Sequence, residues 1–493
     1  MEKALKVLFL SPEVTPYAKT GGLADVAGTL PGALRRLGID VRVALPYYRT
    51  VREKEVPTET VLSGLEVPTG GENLTCNVRA TRAKDDGIVY FIERDAFFDR
   101  DHLYTSGNGD YSDNLERFSF FSRAALLFAR ALGFECDIIH CHDWQTGPVP
   151  AFLKTLYAAD PFLSRTGSIF TIHNMGYQGI FPPELLPASG LPAGTFHPAG
   201  VEYWGKISLL KAGILYADAV TTVSPTYARE IQTPEYGMGM EGILAQRAAD
   251  LSGILNGVDY GDWNPTADPH IAAPYGIADL DGKSICKLAL IREMGLRDSL
   301  ISRPLFALVS RLTVQKGYDL LLEVIEALVG LDAGLVVLAS GGSAFRAPLD
   351  AYREKYPENI AVRIGFDEPL AHRIMAGADI FLAPSRYEPC GLTQIYALRY
   401  GTIPLVRATG GLEDTVSGFD PVTGHGTGFK FTDFDAGAFL EQITRAVRVF
   451  NNRKAWATVV QNAMQADFSW DEPARKYAAL YEKVARRREH SRQ

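Results

Sequence analysis

Short apolar runs of strand-like composition alternate with helix-like segments in both halves of this 493-residue chain. In the first half the runs fall at Lys6–Leu10, Asp40–Leu45, Ile138–His142, Ser168–Ile172 and Ala219–Val223. In the second they fall at Phe306–Ser310, Leu335–Ala339, Ile360–Ile364, Ile380–Ala383 and Ile403–Val406. The clearest helical stretch is Asn114 to Leu132, where Leu115, Phe118, Phe121, Ala125, Leu126 and Ala129 recur at helical spacing. Strands that alternate with helices need crossover connections and so build parallel sheets. The chain is too long for one core, so the pattern predicts two doubly wound α/β domains. Ligands of such sheets bind beyond the carboxyl ends of the strands. Two such domains facing each other would make one interdomain cleft.

Three stretches depart from the alternation. Glu59 to Arg94 reads as hairpins, an antiparallel insert at a sheet edge. A break falls near Asn256-Gly257-Val258-Asp259, and Trp263 to Asp281, rich in Pro, Gly and Asp, reads as an interdomain linker and hinge. The tail Ala485-Arg486-Arg487-Arg488 reads as the solvated basic end of a helix, favourable to its dipole.

Net charge is -8 with 22% charged residues, which argues against a general nucleic-acid or anionic-membrane binder. Any phosphate pocket must be local. No apolar run reaches spanning length, and the start has no secretory pattern. Five irregularly spaced cysteines make no disulfide framework, so a reducing compartment is expected.

Four clusters carry chemistry. Lys19-Thr20-Gly21-Gly22-Leu23-Ala24-Asp25 joins the first strand to a helix spanning Leu23 to Leu37. A glycine turn at a helix start presents backbone N–H groups and a positive dipole end, a seat for an anion, and Lys19 adds a charge. Ser310-Arg311-Leu312-Thr313-Val314-Gln315-Lys316-Gly317 follows a strand, placing Arg311 and Lys316 where a diphosphate would be clamped. Pro384 to Gln394 ends another strand, with Glu388 before a helix and Cys390 read as a structural cysteine. Arg407-Ala408-Thr409-Gly410-Gly411-Leu412 mirrors the first cluster. His140-Cys141-His142-Asp143-Trp144 invites a metal. Neighbours on a strand point to opposite faces, so no metal is expected there. Asp143 and Trp144 suit hydroxyl binding and sugar stacking, and His173-Asn174 ends the next strand.

Taken in order, Lys-Thr-Gly-Gly-Leu-Ala-Asp, His-Asp-Trp, Thr-Ile-His-Asn, Leu-Asn-Gly-Val-Asp, Ser-Arg-Leu-Thr-x-Gln-Lys-Gly, Glu-Pro-Cys-Gly-Leu-Thr-Gln and Thr-Gly-Gly-Leu-x-Asp-Thr-Val resemble bacterial glycogen synthase and plant starch synthase. The resemblance runs from about Lys6 to Trp470. It implies a GT-B fold with an acceptor-side domain at 1–255, a nucleotide-sugar domain at 256–470 and a C-terminal helix in 471–493 returning toward the first domain. It implies a cytoplasmic enzyme, without cofactor or metal, that moves glucose from ADP-glucose to the nonreducing end of an α-1,4-glucan with retention. Nucleic acid and membrane are not among the expected partners.

The resemblance also implies roles. Lys19, Gly21 and Gly22 would approach the donor; Arg311 and Lys316 would grip its diphosphate. Thr409, Gly410 and Gly411 would offer N–H groups. Glu388 would hold the transferring glucose, and His173 would sit near the reacting centre through its carbonyl. Asp25, Asp143, Asn174, Asn256 and Gln315 would be supporting polar positions in donor binding. Two departures stand out: a second Glu found in the wider superfamily is Tyr396 here, and a Gly-x-Gly-Asp turn is replaced by Ala339-Ser340-Gly341-Gly342. The alternative is another GT-B glucosyltransferase, with UDP-glucose or a different acceptor, such as a trehalose-phosphate or sucrose synthase type. A dinucleotide oxidoreductase would need a Gly-x-Gly-x-x-Gly turn at the first strand, which is absent. A silent glucan-binding protein would not need the diphosphate cations.

Overall fold

The structure, a computed structural model, describes residues 4–107, 109–342 and 344–490. It divides into two compact units. One runs to Gly257 and resumes at Trp470; the other is Val258–Ser469.

The first unit holds strands β1 (Lys6–Leu10), β2 (Asp40–Pro46), β3 (Glu59–Thr69), β4 (Glu72–Arg82), β5 (Ile88–Glu93), β6 (Ile138–His142) and β7 (Gly167–Ile172). Strands β8 (Ile180–Phe181), β9 (Glu202–Tyr203) and β10 (Lys206–Ser208) make a small separate antiparallel sheet. Strands β11 (Ala219–Thr222) and β12 (Leu251–Gly253) complete the main one. Its order is β12-β11-β7-β6-β1-β2-β5-β4-β3. All pairings are parallel except those of β4 with β3 and β5, so the hairpin insert sits at one edge, joined through β5 to β2. Val7 to Leu10 are fully buried, as expected where helices cover both faces. From β1 the chain moves outward to β2 and β5, whereas β6, β7, β11 and β12 extend the other way. The order therefore reverses between β1 and β6, the kind of point where open sheets hold ligands.

The second unit has β13 (Leu305–Arg311), β14 (Gly334–Ser340), β15 (Ile360–Ile364), β16 (Ile380–Ala383), β17 (Ile403–Arg407) and β18 (Phe429–Phe431). They form one parallel sheet ordered β15-β14-β13-β16-β17-β18. Alternate residues feed opposite faces: Phe306 and Leu308 join one core, Leu305 and Ala307 the other. Here the reversal lies between β13 and β16.

Two readings from the sequence are corrected. Trp263 to Asp281 is not a loose linker. Trp263 is stacked between His372 and Tyr396, with centroids at 3.7 and 3.9 Å. Asp268 is buried and accepts from Tyr400 Oη at 2.5 Å, with His372 Nδ1 at 2.8 Å. The Pro, Gly and Asp that suggested an open linker make turns of a segment pinned to the second unit. The chain passes between units at Gly257/Val258 and Ser469/Trp470 instead. The basic tail is solvated only in part: Arg486 and Arg487 stay exposed, whereas Arg488 is mostly enclosed. The helix Asp471–His490 belongs to the first unit, where Arg488 meets Asp218 at 3.0 Å and Arg487 meets Asp250 at 3.2 Å.

Candidate active site

In the first unit, the loop after β1 is organised by Glu13, a buried carboxylate. It accepts from Thr20 N at 2.5 Å, Thr20 Oγ1 at 2.5 Å, Gly21 N at 3.1 Å and Tyr104 Oη at 2.8 Å. Two of the N–H groups read from the sequence as open to an anion are thus already satisfied, because a carboxylate of the same unit has taken the favourable dipole position. The next donors, Gly22 and Leu23 N–H at the start of the helix Gly22–Arg36, have no partner among the described residues. Lys19 Nζ lies 2.8 Å from Asp25 Oδ1, so these two residues form a pair beside the loop. Neither Glu13 nor Tyr104 was selected from the sequence. A lone Glu eight residues before the glycine pair has no spacing signature, and Tyr104 arrives through tertiary folding.

At the ends of β6 and β7, Asp143, His173 and Asn174 come together. Asp143 adopts φ +55°, and its Oδ1 accepts from His173 N at 2.7 Å. Burial pushes the Asp143 carboxyl up to about 7, with Glu13 adding repulsion and the His173 and Asn174 N–H groups opposing. His142 Nδ1 is 2.9 Å from His173 Nε2. His142 Nε2 is buried with no partner among the described residues, and an unpaired buried N–H is the costlier orphan. We therefore assign the His142 proton to Nδ1, donated to His173. Burial holds His140 and His142 well below the ordinary imidazole range and brings His173 down to about 3. His140 and His142 share one strand face, with ring centroids 4.1 Å apart, while His140 Nδ1 meets Tyr481 Oη at 2.7 Å. These imidazoles are engaged with each other, Thr171 and Tyr481.

Trp144 corrects the expectation of sugar stacking. It is only 8% exposed, its ring held by Phe118 and Phe181 at 5.2 and 5.7 Å. An apolar ring beside a strand end was absorbed into the core. Asn174 Oδ1 accepts from Gly176 N at 2.8 Å and shapes its own turn. Asn256 follows β12, the strand at the far edge of the sheet, and its buried Oδ1 has no partner among the described residues.

In the second unit, the loops after β13 and β16 meet across the strand-order reversal. Lys316 Nζ lies 2.5 Å from Glu388 Oε2, which also accepts from Ser385 Oγ at 3.1 Å. Gln315 donates through Nε2 to Tyr387 O at 3.2 Å, and its own carbonyl accepts from Arg386 N at 2.8 Å. Gly317, at φ +73°, permits this approach: a Cβ there would meet Pro384 O at 1.9 Å. Arg311 ends β13 on the same side of the sheet's strand ends. Cys390 is buried.

The second glycine pair differs from its sequence reading. Thr409 N donates to Arg407 O at 3.0 Å and Gly411 N to Glu388 O at 3.0 Å, so neither is an open donor. Gly411 serves close packing instead, since a Cβ would meet Cys390 O at 2.1 Å. Thr409 and Gly410 open the short helix Gly410–Thr415 beside Glu388. Each unit thus gathers polar and charged residues where its own strand order reverses. In the second, a cation and a carboxylate lie together beside a strand-end arginine, a set suited to an anionic ligand with an adjoining polar ring.

A family model described as starch synthase catalytic domain matches residues 6–246, and one described as glycosyl transferases group 1 matches residues 298–462. A glycogen synthase of Koribacter versatilis is 45% identical over 480 residues, covering 97% of this chain and 98% of that protein. Glycogen synthase 2 of Geobacter sulfurreducens is 46% identical, covering 98% of this chain and 99% of that protein. The structure of the catalytic domain of starch synthase IV from Arabidopsis thaliana, bound to ADP and acarbose, matches with a TM-score of 0.91 and 34% identity over 98% of this chain and 100% of that one.

Proposed function

The chain belongs to the glycogen synthase and starch synthase family, and on that premise we propose that it transfers glucose from ADP-glucose to the nonreducing 4-hydroxyl of an α-1,4-glucan with retention. It is a glycosyltransferase with the two Rossmann-like domains of the GT-B fold. The observation that supports the donor and acceptor assignment is the near-complete match to a starch synthase catalytic domain bound to ADP, a nucleoside diphosphate, and acarbose.

Cleaving a sugar–diphosphate bond leaves positive charge at the anomeric carbon and extra negative charge on the diphosphate. Groups fixed in advance around those charges favour the transition state over the ground state. In this reading Arg311 and Lys316 meet the diphosphate, as a rigid fork and a point charge. Glu388 holds the transferring glucose and balances its developing positive charge. Gly22 and Leu23 N–H, with Lys19, face the donor from the first unit. Asp143 and the His173 backbone, locked to each other, border the reacting centre. The departing diphosphate would help deprotonate the acceptor, in a front-face displacement without a covalent adduct.

Water must be kept from the sugar cation, so closure of the units over the donor is expected. The two chain crossings at Gly257/Val258 and Ser469/Trp470 are the candidate hinges. With this reaction goes a place in the cytoplasm, beside the glycogen it would extend. Separately, no helix among the described residues is long and apolar enough to cross a membrane.

The test is to incubate purified protein with glycogen and either ADP-glucose or UDP-glucose and measure released nucleotide and glucose incorporated into polymer. Incorporation with ADP-glucose supports the proposal. Incorporation only with UDP-glucose, or none with glycogen, rejects it.

A further inference from the structure

Trp204 stands out because little in its own fold accounts for it beyond an edge contact with the Tyr203 ring at 6.4 Å. It is 83% exposed and has φ +51°; with Gly205, at φ +75°, it makes the two-residue turn between β9 and β10. Tyr203 and Lys206 pair to close this hairpin. Two successive residues at positive φ suit Asn-Gly or Asp-Gly, not a bulky ring. The ring recovers little of that cost by burial. Backbone strain kept at a surface with so little packing return is a reason to look for a ligand.

The hairpin is braced. Tyr203 Oη donates to Met238 O at 2.9 Å, and Gln178 Nε2 donates to the same carbonyl at 3.0 Å. Gly205 N donates to Glu202 Oε1 at 2.6 Å. Gly239 lies beneath: a Cβ there would meet Tyr203 Oη at 2.2 Å and would stand 3.8 Å from Trp204 Nε1. From the hairpin, Ile207 pairs with Phe181, whose ring packs on Trp144, the residue after Asp143. The tryptophan expected from sequence to stack on sugar is buried. One with an open face stands at the tip of the small sheet that packs on it.

We propose that Trp204 is a stacking platform for a glucan chain, holding the polymeric acceptor away from the residues that handle its reacting end. This rests on the glucosyl-transfer reading above. An indole face is apolar and π-rich, and the C–H face of a glucose ring is its natural partner. A polymeric acceptor extends well beyond the one residue that reacts, so an added contact on the acceptor's path raises its affinity without touching the chemistry.

The experiment compares wild type with Trp204→Asn, which suits the turn, and Trp204→Tyr, which keeps an aromatic face. Initial rates are measured with glycogen and with maltotriose as acceptors, and with ADP-glucose varied. For Trp204→Asn the KM for glycogen should rise roughly threefold to tenfold, the scale of one lost ring contact. The KM for ADP-glucose and the rate on maltotriose should stay at wild-type values, and Trp204→Tyr should recover most of the loss. An unchanged glycogen KM overturns the platform. So does an equal loss on both acceptors, which would put the ring at the reacting centre. A wild-type protein that does not extend glycogen at all would instead reject the underlying function.

Discussion

Lys316 Nζ lies 2.5 Å from Glu388 Oε2, bridging the loops that follow β13 and β16. The cation expected to meet the diphosphate therefore shares its charge with the carboxylate expected to meet the glucose. The pair is mostly enclosed, with side-chain exposures of 19% and 9%. Removing the lysine leaves a buried carboxylate without its cation. Lys316→Ala should lower turnover by roughly 10²- to 10³-fold, the scale of one lost transition-state contact. It should also cost up to about 3 kcal/mol of stability, a discounted share of a buried pair. Steady-state kinetics with thermal unfolding checks both. Full turnover would remove Lys316 from its assigned role.

Arg311→Ala separates rate from fold. The residue ends a strand and fills no core position, so its loss should reduce turnover by roughly 10²- to 10³-fold while the unfolding midpoint stays near wild type. Wild-type turnover would take Arg311 out of the site.

Glu13→Gln tests whether the glycine loop is positioned from within. A carboxylate accepts all four of the donors that converge here. An amide offers one acceptor oxygen and turns an NH₂ toward the rest. Each buried donor left unpaired costs about 1–3 kcal/mol, and a misplaced site residue slows the reaction by at least about tenfold. Lower stability with lower turnover, and little change in glycogen KM, is expected. A variant with wild-type turnover would contradict the positioning role.

The pH dependence has a definite sign. His140, His142 and His173 titrate below the ordinary value of 6.5 in the fold, so the unfolded chain binds more protons as pH falls. Their contribution is present above about pH 6.5 and is lost on acidification. Asp143 acts oppositely: its carboxyl is raised to about 7 from 3.8, so its contribution is fully present below about pH 4 and is lost as pH rises through 7. Three imidazoles outweigh one carboxyl, and stability should fall from pH 7 to pH 5. Asp143→Asn removes the opposing group and should steepen that fall. Melting midpoints across this range decide it; a shallower fall in the variant would show the signs to be wrong.

Trp263→Ala probes the corrected linker. The ring lies between His372 and Tyr396 and caps the buried Asp268–Tyr400 contact. Losing it should cost about 3 kcal/mol, the low end for a packed aromatic. No effect on stability would restore the loose-linker reading.

The longer parallel strands were legible in the sequence because each is a mostly apolar run closed by a turn, and the edge hairpin of β3 and β4 because its residues alternate. β8, β9, β10, β12 and β18 were not, being two or three residues long with no periodicity to display. The strand-end residues Lys19, Asp143, His173, Arg311, Lys316 and Glu388 were legible from the ordered motifs. Hydrogen-bond partners were not. Glu13 and Gly21 are eight residues apart with no motif between them, and Gly411 N–H pairs with Glu388 O across 23 residues. Trp144 and Trp204 show the same limit: their local sequences do not say which ring the small sheet will cover.

A crystal structure of the protein with ADP tests the central claim most directly. The account predicts the diphosphate within hydrogen-bond reach of the Arg311 guanidinium and Lys316 Nζ, at the reversal between β13 and β16. ADP seated elsewhere, or both cations turned away from it, would contradict the account.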